Sequence, residues 1–211
     1  MSRTTGVLGF VSMCVLMLMT APLPAQQAAP RETVSAQVGG GKVSIEYGRP
    51  SLKGRSVSDL LGGLPEDRIW RAGSEQITTL TTEAPIMIGS TSVPAGKYSV
   101  YVHCPQSGPY SLVLNKVLGQ PLKNIYAAAP PQLANEPWPH FKYTSEIGKQ
   151  EVARVAMASS KSSAPVDLFT IALKPASGGA NLVMNWGTEV WSVPVKPGGE
   201  SMPMSEGSDR R

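Results

Sequence analysis

The chain has 211 residues and a mass of 22.3 kDa, with 41% hydrophobic and only 16% charged residues. Its 21 Gly and 19 Pro make up about 19% of the residues, too punctuated for a helical bundle and without the glycine period of collagen. The length allows one domain with a real core, and the formal charge of +4 is too mild for a nucleic-acid binder.

The N-terminus reads as a secretory signal over residues 1–25. Arg3 supplies a positive start and Gly6 to Thr20 is uncharged and apolar. At about 15 residues the run is too short for an ordinary membrane span. Pro22 and Pro24 break it, and Ala25 offers a small residue for cleavage before Gln26. Removal of the signal leaves 18 basic against 15 acidic residues, or +3 over 186. It also removes Cys14, so the mature protein keeps Cys104 and makes no internal disulfide. The expected protein is exported, periplasmic or secreted, with no stable membrane span after cleavage.

Residues 26–31 read as a linker, followed by a single domain over 32–196. Val43, Ile45 and Tyr47 alternate with Lys42, Ser44 and Glu46, the pattern of a half-buried strand. Thr33 to Val38 precedes it across Gly39-Gly40-Gly41, so the pair reads as a hairpin. Residues 48 to 68 are broken by Gly and Pro, with room for one short helical turn near Ser58 to Leu61. Strands are expected at Gln76–Thr82, Pro85–Gly89, Lys97–His103 and Tyr110–Leu114. Residues 117–141 hold five prolines and are expected to be a loop. Further strands fall at Glu151–Met157, Val166–Lys174, Asn181–Gly187 and Glu189–Val195, with a hairpin at Ala176 to Gly179. Residues 197–211 are Gly, Ser, Met and charge, and a disordered tail is expected. About ten short strands with close turn signals predict an all-β fold, an antiparallel β-sandwich or jelly-roll-like domain with long Gly/Pro-rich loops.

Most recognised chemistry finds no support. His103 and His140 lack partners at metal-ligand spacing, and His103 and Cys104, as strand neighbours, point to opposite faces. No metal and no cofactor is expected. A Cys104–His140 dyad competes with the simpler reading of a packed thiol at a strand end. Gly39-Gly40-Gly41-Lys42 lacks the remaining residues of a phosphate loop.

One constellation in two pieces stands out. Arg49, Lys53 and Arg55 place three cations within seven residues with no acid among them. Trp70 and Arg71 follow, with Glu75 the acid best placed to pair with an arginine. Arginine forks fit carboxylate or phosphate in pairs, and an indole offers a face to a sugar ring. The expected binding residues are Arg49, Arg55, Trp70, Arg71 and Glu75, on loops held by a rigid sandwich. They would take a small anionic or carbohydrate-containing ligand or a protein partner. A structural reading stands beside this one, with Arg49 or Arg71 paired to Glu75 to pin a loop and Trp70 in the core. An enzyme reading makes Glu75 an acid/base in a hydrolase-like site, without a second carboxylate at a telling spacing. A third reading is a purely structural or assembly module.

At these residues the chain resembles the uncharacterised bacterial family labelled domain of unknown function 2911. The matching stretches are Tyr47 to Arg55, Ile69 to Thr79, Val93 to Val100, Val113 to Lys116 and Leu182 to Val195, spread over about residues 32 to 195. The family commonly has Asn before the Glu, where this chain has Ser74. The resemblance implies an exported β-rich protein and supplies no activity.

Overall fold

In the computed structural model, residues 29–140 and 142–199 are described; the expected signal and most of the expected tail lie outside them. The first two strands, β1 (Arg31–Val38) and β2 (Gly41–Gly48), form the expected hairpin, with Val38 opposite Gly41. Gly39 at φ 61 makes the tight turn that a side chain would disfavour. The alternation in β2 sends Val43, Ile45 and Tyr47 into the core, each fully buried.

Helix α1 (Val57–Gly62) follows, capped by Ser56, whose hydroxyl accepts from the Asp59 N–H at 3.0 Å. Strands β3 (Ile69–Trp70) and β4 (Thr79–Thr82) then lie along the same edge of β7 (Gly96–His103). The chain therefore leaves one strand lane after Trp70 and rejoins it at Thr79. Strands β5 (Ile86–Ile88), β6 (Thr91–Val93), β8 (Ser111–Asn115) and β11 (Glu151–Ala156) are short. The last two, β12 (Ala158–Ala176) and β13 (Gly179–Pro197), run 19 residues each.

Seven strands make one antiparallel sheet in the order β1-β2-β4-β7-β8-β11, with β3 paired to β7. Four make a second, β12-β13-β5-β6. The two pack face to face over one core, and the fold is the expected antiparallel β-sandwich rather than a closed barrel. Tyr98, Val100 and Val102 of β7 face inward with Leu112 and Leu114, against Phe169, Ile171, Leu182 and Met184 of the second sheet. Tyr101 and Val113, one residue out of phase, point the other way and form a smaller cluster with Ile77 on the outer face of the large sheet.

Three features depart from the sequence expectation. The strands expected at Asn181–Gly187 and Glu189–Val195 are one, because Gly187 at φ 58 lets β13 bulge and continue. Strand β12 begins eight residues before Val166, through a Ser-rich run without alternation, and its register shifts on both sides of Val166. Pro165 falls within the first of these shifts, between Lys161 and Val166, and has no N–H for the ladder. Finally, the proline-rich stretch holds a short pair, β9 (Gln120–Pro121) with β10 (Pro137–Trp138), and a 3-10 turn at Leu122–Asn124. The Pro137 carbonyl accepts from the Ile77 N–H at 2.9 Å, tying this segment to the β3–β4 excursion. A second short helix, α2 (Ser145–Gly148), precedes β11.

Candidate functional site

The residues that follow β2 cross to the second sheet. Ser51 bridges Leu168, the Leu52 N–H donates to the Asp167 carbonyl at 3.1 Å, and the Phe169 N–H donates to Pro50 at 2.9 Å. Arg49 fastens this corner. Its guanidinium pairs with Glu32 at 2.9 Å and donates to the Phe169 carbonyl at 3.1 Å and the Thr170 hydroxyl at 2.8 Å. Its ion-pair partner is thus Glu32 and not Glu75, because β1 lies antiparallel to β2 and brings Glu32 opposite Tyr47.

Trp70 sits at the end of β3, 8% exposed, stacked on Trp186 at 5.3 Å and 8° and meeting Phe169 edge-on at 4.8 Å. The Trp186 indole N–H donates to the Asp167 carbonyl at 3.1 Å. These rings belong to the core, and Trp70 and Trp186 also line a cleft of about 460 Å³. The cleft runs from the inter-sheet core at Leu61, Trp70 and Trp186 to Tyr101 and Tyr143 on the outer face of the large sheet. Its volume lies in the usual range for ligand pockets of about 300–1,000 Å³.

The β3–β4 excursion supplies one wall through Arg71, Gly73 and Ser74, and the proline-rich segment another through Ile125, Trp138, Pro139 and His140. Arg68, Ala72 and Glu75 all hold left-handed backbone, with φ of 52, 50 and 58. Such conformations cost about 1–3 kcal/mol each and persist where the surroundings enforce them. Arg68 is enforced by its side chain, which donates to the carbonyls of Leu61, Gly62, Leu64 and Cys104 at 2.8–3.3 Å. These bonds also satisfy the C-terminal end of α1.

The five residues expected from sequence divide. Arg55, Trp70 and Arg71 line the cleft, while Arg49 and Glu75 do not. Arg55 is exposed and donates to the Leu52 carbonyl at 3.1 Å. Arg71 reaches solvent at the rim, yet burial among the walls pushes its guanidinium below the usual arginine range, with the nearby charge of Glu75 opposing the shift. Among the described residues no group accepts a hydrogen bond from Arg71. Glu75 accepts from the Ala29 N–H at 3.0 Å, holding the start of the domain against the excursion.

Several lining residues were not expected from the sequence, namely Asp67, Tyr101, Trp138, His140 and Tyr143. Asp67 accepts from the N–H groups of Ile69 at 3.1 Å and Tyr143 at 3.0 Å, so both of its oxygens are engaged. The Tyr143 hydroxyl accepts from Asn115 at 2.8 Å and donates to Glu151 at 2.9 Å, and its ring meets Tyr101 edge-on at 5.1 Å. Trp138 stands between Pro137 and Pro139, a rigid frame that could have flagged it within the loop.

Four buried side-chain polar atoms among the described residues have no hydrogen-bond partner, and three belong to cleft-lining residues: Ser74 Oγ, Tyr101 OH and His140 Nε2. Leaving such a group unpaired costs about 1–3 kcal/mol. The Tyr101 hydroxyl faces Ser99 and the His140 backbone without closing a bond to either. Burial pushes it up to about 12, so it is neutral at physiological pH. Burial also holds His140 below the usual histidine range, which keeps the ring uncharged near pH 7.

Cys104 is fully buried, and burial pushes its thiol up to about 12 against the lowering effect of Arg68. A thiol in that state is a poor nucleophile, which favours the packing role over a dyad with His140. No group of three metal-ligating side chains occurs among the described residues, and none of their helices is long and apolar enough to cross a membrane.

No curated protein and no solved structure matches the chain. The sequence model of one family, described as "Protein of unknown function (DUF2911)", matches residues 29–195. That span takes in both sheets, the β3–β4 excursion and the proline-rich segment, and the chain belongs to this family.

Proposed function

We propose that this is an exported binding protein whose cleft takes a small molecule with a ring-shaped body and an anionic group. The observation that carries the reading is that one cleft of about 460 Å³ gathers three indoles and two arginines against a single, fully engaged aspartate. Indole faces favour flat or ring-shaped apolar surface. The unmatched positive charge favours an anion, and Arg71 keeps its fork of donors available for it. Arg55 adds long-range attraction from the rim. Glu75 serves the excursion rather than the ligand, through its bond to Ala29.

The test is a thermal-shift screen of the purified protein against sugars, nucleotides and small acids. A specific ligand at a hundred times its Kd should stabilise the fold by about 2.7 kcal/mol. That stabilisation should vanish in Arg71→Ala. A screen in which no member raises the melting temperature through Arg71 would refute the proposal. Export is tested separately, by N-terminal sequencing of protein recovered outside the cytoplasm, where a start at Gln26 is expected.

A further inference from the structure

Resting on the binding reading above, we infer that the ligand's ring is apolar and its anion a carboxylate, so that the cleft takes an aryl monocarboxylic acid. The choice follows from which polar groups of the wall are open to a ligand. Every hydroxyl and carboxylate oxygen among the lining side chains is already engaged or closed off. The Ser51 hydroxyl donates to Asp167 and accepts from the Lys53 N–H. Asp67 holds the Ile69 and Tyr143 N–H groups, and the Tyr143 hydroxyl lies between Asn115 and Glu151. Ser74 Oγ, the Tyr101 hydroxyl and His140 Nε2 are buried within the wall, the first packed at Gly48 and the second turned toward Ser99 and the His140 backbone. What remains is chiefly apolar surface, together with N–H donors. Leu60, Leu64, Ile69 and Ile125 are each half-buried there, so part of their surface is left uncovered. Arg55 and Arg71 donate and cannot accept. A sugar would lose water from hydroxyls whose protons meet no free side-chain oxygen, and each such loss costs affinity. An apolar ring has no such loss on the same wall and gains by covering it.

Charge and shape narrow the class further. Arg55 and Arg71 against Asp67 leave one unit of positive charge on the cleft wall. That matches a monoanion better than a phosphate monoester of about −1.5 to −2. The planar fork of Arg71 fits a carboxylate through two parallel bonds, and an ionised carboxylate accepts without needing an acceptor in return. Trp138, half-buried and held between two prolines, lends the wall a rigid flat surface. An aryl ring stacks on such a surface with less loss of freedom than a flexible chain. The volume of about 460 Å³ lies in the lower half of the range for drug-sized ligands, the scale of a bicyclic acid.

Calorimetric titration of the purified protein with naphthoate, beside naphthamide, decanoate, naphthyl phosphate and galacturonate, tests the inference. Naphthoate should bind at least tenfold more tightly than naphthamide, which keeps the rings and loses the charge. It should exceed galacturonate, which keeps the charge and loses the apolar body, by a similar factor or more. Arg71→Gln should bring naphthoate down to the level of naphthamide and leave naphthamide itself unchanged, which a misfolded variant would not do. Galacturonate binding as tightly as naphthoate through Arg71 overturns the apolar assignment but leaves the broader reading standing. Tighter binding of naphthyl phosphate overturns the carboxylate and likewise spares that reading. Tighter binding of decanoate, or equal binding of naphthamide, overturns the inference together with the ring or the anion of the broader reading. Binding by none of the five probes overturns the aryl-acid assignment, and the wider thermal-shift screen then decides the cleft itself.

Discussion

Arg49 and Arg71 sit at the ends of two successive excursions from the same sheet and have opposite surroundings. Arg49 spends its guanidinium on the protein, bonding Glu32, the Phe169 carbonyl and Thr170, and so locks the corner where the chain passes from the large sheet to the small one. Arg71 stands at the rim of a cleft, partly desolvated, with no described acceptor for its donors. Both have the residue type and loop setting that mark a binding arginine in sequence. What separates them is whether a strand pairing delivers an acceptor, and β1 delivers Glu32 to Arg49 alone.

The largest change should come from beneath both corners. Phe169 is fully buried, meets Tyr47, Trp70 and Trp186 edge-on, and lends its carbonyl to Arg49. Phe169→Ala should cost about 3–5 kcal/mol in denaturant unfolding. It should also loosen the cleft floor, so a variant that unfolds at the wild-type midpoint would mean the two corners do not share this support.

The arginines themselves give the sharper contrast. Arg49→Ala should lower stability by about 1.5–3 kcal/mol, since its charged hydrogen bonds to Phe169 and Thr170 are lost. Its side chain is 25% exposed and that of Glu32 40%, so the ion pair itself adds little. Arg71→Ala should stay within about 0.5 kcal/mol of wild type, as surface changes usually do. Ligand affinity should respond in the reverse order. If both variants lose stability equally, the distinction between the corners fails.

Acid should act on the cleft side. Burial holds His140 and His103 below the usual histidine range; at His103, Arg154 and Arg68 add to the shift while Glu151 and Asp67 oppose it. The unfolded chain takes up these protons near pH 6.5 and the folded chain only at lower pH. Their contribution is therefore fully present above about pH 6.5 and is lost as the pH falls below it. A His103→Gln, His140→Gln double variant should show a flatter melting temperature between pH 7 and 5. An unchanged slope would assign the acid sensitivity to the carboxylates instead.

The smallest effect belongs to Lys53, exposed and left-handed at φ 50 beside Gly54. Lys53→Gly should gain roughly 0.5 kcal/mol, because about 1–2 kcal/mol of backbone strain is relieved at an entropic cost of about 0.5–1 kcal/mol. A loss would mean that the lysine stem contributes packing at the Arg49 corner.

Strands with clean period-two patterning were legible from sequence. Tyr98, Val100 and Val102 lie on one buried face as the alternation requires, and both glycine hairpins stand where the turns were read. Strand length was not legible where pairing overrides pattern. The Ser-rich start of β12 is strand because β13 lies beside it, and only the far partner supplies that information. Within the site, Trp70 and Arg71 were visible because loop glycines and an indole travel together. Tyr101 was hidden on the polar phase of β7, where alternation marks a residue as outward but not as covered. His140 and Trp138 were hidden because a proline-rich run carries no periodicity, and only Ile77 pairing with Pro137 draws them to the excursion.

Three of the chain's four tryptophans line the cleft, and the fourth, Trp191, stacks on Tyr110 elsewhere. The protein thus carries its own optical reporter. Most of its ultraviolet emission should originate at the wall where an incoming molecule would rest, so occupancy can be followed by quenching or spectral shift without dyes, tags or a known reaction.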